Sequence, residues 1–109
     1  MKVDIRGRNF DVSGAVRDYA ERRLEFGLGR LQHRIVRVRV WLTDLNGPRG
    51  GVDKRCRIEV VGRQATVAAE ASSDNAYAAI DLAADRIRHV ARRLAERDAT
   101  IDRSRSFAW

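Results

Sequence analysis

Five arginines and a histidine crowd the stretch DRIRHVARRLAER, residues 85 to 97. Side chains of this kind grip phosphates through charge-assisted hydrogen bonds and need no cofactor to do so. On a helical wheel of about 100° per residue with Ile80 at zero, Asp81, Asp85, Arg88, Arg92 and Glu96 fall between about 80° and 160°. That flank mixes signs at spacings of three and four, and reads as a self-paired, solvated surface. Arg86, Arg93 and Arg97 fall between about 220° and 260°, with no acid beside them. Arg93 and Arg97 are like charges four residues apart, which costs an isolated helix roughly 0.2–0.5 kcal/mol. Attraction to the helix dipole accounts for Arg93 and Arg97 near the helix end, but not for Arg86, about three turns from it. A bare basic ridge suits a polyanion.

An earlier segment repeats the arrangement. With Val16 at zero, Asp18, Glu21 and Glu25 gather between about 140° and 200°, and Arg22, Arg23 and Arg30 between about 240° and 340°. Tyr19 and Phe26 interleave with those arginines. Aromatics in such company can stack on bases, although packing against a neighbouring helix is the commoner use.

Catalytic groupings are missing by comparison. His33 and His89 stand alone, with no HExxH and no CxxC. Cys56 lies within KRCRIEV on the same side as Ile58 and Val60, which makes it a small buried apolar residue rather than a nucleophile. Asp81 and Asp85 share their flank with arginines and read as surface charge, not as a tuned acid and base. Arg49 in NGPRGG (46–51) is within reach of a phosphate, but the loop lacks the GxxxxGK[ST] spacing of a nucleotide cradle. The expectation is a non-enzyme with no cofactor, no metal and no small-molecule substrate.

The elements that hold these residues follow from periodicity. KVDIRGR alternates as a strand. Ser13 is placed to cap a helix from Gly14 to about Gly27, with Val16, Ala20 and Leu24 inward and Leu31 a little beyond. RIVRVRVWLTD puts Val36, Val38, Val40 and Leu42 on one face and Arg37, Arg39, Trp41 and Thr43 on the other. Cys56, Ile58 and Val60 mark a third strand, and Gly62-Arg63 turns tightly into a fourth, QATVAAEAS. Ser73 or Asp74 then caps a helix over about 74–97, whose core side is Tyr77, Ile80, Ala84, Ile87, Ala91 and Leu94. The fold class is therefore α+β: β-α-β-β-β-α, a four-stranded mixed sheet with two helices packed on one face. Residues 1–97 form the single domain, and 98–109 a flexible tail. On the wet face of the sheet, Arg6, Arg37, Arg39, Arg55 and Arg57 meet Glu59, Glu70 and Trp41, where cross-strand pairing and arginine stacking on Trp41 are expected.

Composition fits this picture. In 109 residues the net charge is +7 and the sequence pI about 10.9, pointing to a polyanionic partner, nucleic acid ahead of an acidic membrane surface. Twenty of the 22 basic residues are arginine, a choice that a GC-rich genome also favours, but the net excess needs its own reason. No apolar run approaches the ~18 residues of a membrane span, and MKVDIRG has no signal-peptide core. The cytoplasm is the expected location. A lone cysteine excludes an internal disulfide.

The block SDNAYAAIDLAADRIRHVARRLAER resembles the second helix of the ribosome hibernation-promoting factor and ribosome-associated inhibitor family. The family pattern is an acid shortly before Tyr-Ala-Ala-Ile-Asp, then Asp-Lys/Arg-Leu/Ile and a basic helix end. Here that is Asp74, Tyr77-Ala78-Ala79-Ile80-Asp81 and Asp85-Arg86-Ile87. The likeness extends to VDIRGRNFDVSGAVRDYAERRLE and HRIVRV, so it spans residues 2 to 97. It implies a fold related in shape to double-stranded-RNA-binding domains. It also implies a monomer that binds ribosomal RNA in the mRNA/tRNA channel of the small ribosomal subunit and silences translation under stress. Family positions facing RNA carry over to Arg86, Arg93 and Arg97, with Arg23 from the first helix. With the residues that geometry adds, the expected RNA-binding set is Arg22, Arg23, Arg30, Arg86, His89, Arg93 and Arg97. His89 stands where many members have arginine, and Gly27-Leu28-Gly29 interrupts a helix end that is usually lysine-rich. No second domain follows, unlike the long members, which points away from self-sufficient ribosome dimerisation. The alternatives are a protein-interaction module using the sheet face and a generic double-stranded RNA binder.

Overall fold

Strands form where apolar and charged residues alternate, and helices where apolar residues recur every three or four positions. The computed structural model describes residues 2–45 and 52–107, with side chains as far as 97. The element order is β1 (Lys2–Arg8), α1 (Gly14–Leu28), a 3-10 helix (Gly29–Arg34), β2 (Ile35–Asp44), β3 (Lys54–Gly62), β4 (Thr66–Ser73) and α2 (Ala76–Phe107). The strands lie in the order β1-β2-β3-β4, with β1 parallel to β2 and the other pairs antiparallel. The β-α-β-β-β-α fold with a four-stranded mixed sheet is the one the patterning predicts.

The register fixes which side each residue faces. Val3, Val38, Val60 and Val67 form one row across the sheet, and Ile5, Val40, Ile58 and Ala69 the next. These rows meet Val16, Ala20, Leu24 and Leu28 of α1 and Ala79, Ile80, Ala83, Ala84, Ile87 and Ala91 of α2 in a single core. The alternate rows, such as Arg6-Trp41-Arg57-Glu70, face solvent on the other side. Cys56 is wholly inside, and burial pushes its thiol up to about 12, so it is a packing residue.

Several expectations need correction. Val36 is not in the core: it is 49% exposed, and Ile35 packs against the core in its place. The register shifts between Ile35 and Arg37, and an extra residue there reverses the alternation upstream of it. The cap of α2 is Asn75, whose Oδ1 accepts from the backbone N–H groups of Tyr77 (2.8 Å) and Ala78 (3.4 Å), while Asp74 accepts from the Ser73 hydroxyl instead. The core stripe of α2 is rotated toward Ala79 and Ala83, leaving Tyr77 39% exposed. Most consequential, α2 does not end near 97: its backbone continues to Phe107 through a stretch assigned above to the tail. No glycine or proline stops it there. Ser13 does cap α1, accepting from Val16 N–H at 3.2 Å, and Gly62 closes the tight turn through its N–H to Ala65 O at 2.8 Å.

Two local devices hold the chain ends of the sheet. At the mouth of the β2–β3 connection, Lys54 Nζ lies 3.0 Å from the buried Asp53 and 3.3 Å from Asp44, and the hydrogen bond to Asp53 raises the lysine pKa. The NGPRGG loop, with Arg49, lies outside the described residues. At the other end, the β1–α1 turn passes through Asn9 at φ 54°, a left-handed conformation that asparagine tolerates well. It brings Phe10 O so close to Gly7 that a Cβ there would sit 1.9 Å from it. Gly7→Ala is expected to force this turn apart and to lower stability by about 1–3 kcal/mol, measured as a shift in urea midpoint. Asn75→Ala should cost about 1 kcal/mol in the same assay.

Candidate nucleic-acid interface

The helix layer is organised by one carboxylate. Asp81 Oδ1 on α2 accepts from the Tyr19 hydroxyl at 2.5 Å and from Arg23 Nε at 2.9 Å, both on α1. Arg23 also reaches the Asp81 carbonyl (3.5 Å) and Asp85 (3.8 Å). Tyr19 meets Tyr77 edge-to-face, with ring centroids 5.0 Å apart. The hydrogen bond to Asp81, with burial and its charge adding, raises the Tyr19 pKa. Asp81 is therefore not free surface charge but part of the seam against α1, while Asp85 keeps the solvated i,i+3 pairing with Arg88 that its spacing predicts. Helical phase carried the signal, because Tyr19 and Arg23 occupy the flank of α1 that meets α2 once both helices cover one sheet face.

This geometry separates the predicted RNA-facing residues. Arg23 has its guanidinium tied to Asp81 and is only 29% exposed, whereas Arg22, Arg30, Arg86, His89, Arg93 and Arg97 are all exposed. Arg86 lies on the far side of α2 from the seam, where its Nη1 donates to Glu70 O of the edge strand β4 at 2.6 Å. Arg86 thus reaches over the edge strand, with Arg93 and Arg97 further along the same flank of α2. The basic residues of the two helices are divided: α1's arginines lie on one side of the α2 crest and the ridge on the other, with Leu82 and His89 between. Arg93 and Arg97 have no acidic partner among the described residues.

Between the helices, beyond the seam, lies a groove of about 400 Å³ lined by Phe26, Arg30, Arg88 and Arg92 among others. Gly27 lines it beside Arg88, and a Cβ there would meet Arg88 Cδ at 3.7 Å, an ordinary van der Waals contact. Phe26 is 81% exposed, so of the two interleaved aromatics only Tyr19 packs against the neighbouring helix. Arg88 and Arg92 at this groove escaped the sequence reading because their flank counted as self-neutralised. Arg88 does pair with Asp85, at 3.8 Å.

A two-layer α+β domain with a charged helix surface defines the class of protein. Residues 3–99 match the family described as Sigma 54 modulation protein / S30EA ribosomal protein, and the chain belongs to that family. It is 31% identical over 98 residues to a ribosome hibernation promotion factor from Picosynechococcus sp., covering 90% of this chain and 51% of that protein. The chain thus spans about half the length of the curated relative it matches. The N-terminal domain of Protein Y from Thermus thermophilus superposes with a TM-score of 0.74 at 29% identity, covering 86% of this chain and 99% of that one. A ribosomal subunit interface protein from Coxiella burnetii shares the fold, with a TM-score of 0.71 at 22% identity over 91% of this chain and 99% of the other. The family is the one that the Tyr-Ala-Ala-Ile-Asp block suggests.

A double-mutant cycle of Arg23→Ala and Asp81→Ala is expected to give a coupling of about 0.5–1 kcal/mol, because both groups are partly exposed. Since the Tyr19 pKa is raised, its contribution should be intact at neutral pH and decline as pH climbs past that of a free phenol. Urea titrations of the wild type and Tyr19→Phe across alkaline pH measure that loss.

Proposed function

We propose that the protein is a ribosome-binding translation inhibitor of the hibernation type. It occupies the mRNA/tRNA channel of the small ribosomal subunit as a monomer in the cytoplasm, with its helix layer against ribosomal RNA. The observation that carries this reading is the placement of Arg93 and Arg97 within α2. The helix runs on to Phe107, so these arginines stand well short of its C-terminal turn, outside the reach of the dipole that otherwise excuses them. Like charges without an acidic partner among the described residues are a local cost that a polyanionic partner offsets. The similarity to a hibernation promotion factor supports the ribosome as that partner.

The mechanism is steric and electrostatic. Arg86, Arg93 and Arg97 contact phosphates from the ridge, His89 sits on the adjoining crest, and Arg22 and Arg30 extend contact from the α1 side. Arg23 acts through Asp81 by holding α1 in position. Guanidinium forks match phosphate oxygens without covalent chemistry, and the bound domain blocks the channel by its bulk.

Co-sedimentation with isolated small subunits across a salt series tests this. Binding is expected to weaken with a log–log slope of about −3 to −5, as for four to six phosphate contacts. The Arg86→Ala/Arg93→Ala/Arg97→Ala variant, checked for native circular dichroism, should lose at least tenfold in affinity. Binding that is flat with salt, or indifferent to the triple substitution, would sink the proposal. Equal affinity for a free RNA duplex would replace it with generic duplex binding.

A further inference from the structure

The helices cover only one side of the sheet, and the other side is also basic. Its outward rows carry seven basic residues against three acids, Asp4, Glu59 and Glu70. Each acid has a partner on the same face: Asp4 pairs with Arg6 at 3.4 Å, Glu59 with Arg39 at 3.2 Å and Glu70 with Arg57 at 3.7 Å. Lys2, Arg8, Arg37 and Arg55 are exposed and have no acidic partner among the described residues. Pairing within the sheet therefore explains three of these cations and leaves four.

In the middle of this field is Trp41. It occupies the row between Arg6 on β1 and Arg57 on β3. Trp41 is half-buried among these side chains, the expected stacking of arginine on the indole is not formed, and the indole makes no ring contact or side-chain hydrogen bond among the described residues. Beside it is a depression of about 330 Å³ lined by Asp4, Arg6, Arg37, Arg39, Val40 and Trp41. Outward rows recur about every 6.8 Å along a strand, which puts Arg37 and the Arg8–Arg55 row roughly 20 Å apart, on either side of Trp41.

We infer that this outer sheet face binds a short single strand of RNA, with a base stacked on Trp41 and the flanking phosphates held by Lys2 and Arg37 on one side and Arg8 and Arg55 on the other. Stacking on an aromatic needs an unpaired base whose face is free, and cations arranged about it follow the backbone of an extended strand. A duplex hides its base faces and leaves the indole without a role. An acidic peptide would use the arginines but gain nothing from the ring. The surface lies across the core from the helix ridge and does not rest on the channel-binding proposal.

The only other tryptophan is Trp109, so a Trp109→Phe chain makes Trp41 the sole indole reporter. Titration of that chain with an oligouridylate of about twelve residues should quench Trp41 emission saturably. The log–log salt slope should be near −3, as for four phosphates on a single strand. Adding Arg37→Ala and Arg55→Ala, both exposed and unpaired, should weaken the quench about tenfold with circular dichroism unchanged. The helix-ridge triple variant should leave it intact. The inference is overturned by no quench at low salt, by equal or stronger quenching with a duplex of the same length, or by equal quenching with poly-glutamate. Loss of the quench in the ridge variant but not in the sheet variant overturns it as well.

Discussion

Covering one face of a single sheet with two helices leaves a chain of this size one core, and that constraint sorts every other residue. The inward rows, valine and isoleucine with Cys56 and Ala71, must meet the inner stripes of α1 and α2, because no other apolar layer exists to receive them. Apart from the buried Asp53, the charge of the described residues is then driven to two polar sides separated by the core. Net charge of +7 distributed over two opposed faces gives a molecule that anionic partners can approach from either direction.

Within the helix layer, Asp81 converts that general arrangement into a particular one. It takes a hydroxyl and a guanidinium from α1, so the angular setting of the two helices is fixed by directional bonds as well as by packing. The same carboxylate neutralises the seam, which confines the unpaired arginines to the outer flanks and to the groove beyond. Phe26, Arg30, Arg88 and Arg92 line that groove, Arg88 being paired there with Asp85.

Much of this was legible before any coordinates. Period-two alternation located the strands, period-3.6 spacing located the helices, and the Tyr-Ala-Ala-Ile-Asp block located the family. What could not be read depends on three-dimensional partners. Val36 and Ile35 exchange roles through a bulge, and two apolar residues in succession do not say which of them faces inward. Asp81 looked like surface charge because a helical wheel shows a helix without its neighbour, whereas the Asp85–Arg88 pair, which lies within one helix, was readable. Arg23 belonged with the exposed arginines by type, and only the partner helix separates it from Arg22. The length of α2 was misjudged because polar composition after 97 resembles a tail, although nothing in those residues forbids a helix.

Arg86 also affects how copies of this domain meet one another. β4 is an outermost strand, and outermost strands offer unpaired backbone groups to which a foreign strand can add. The guanidinium of Arg86 lies on the Glu70 carbonyl of that strand, bringing a long, hydrated, positively charged side chain over it. A second sheet aligning there would have to displace this side chain and would meet the same charge on its own copy. The side chain thereby occupies the backbone position that an added strand would use at Glu70, one of the ways in which a charged residue blunts a sheet edge.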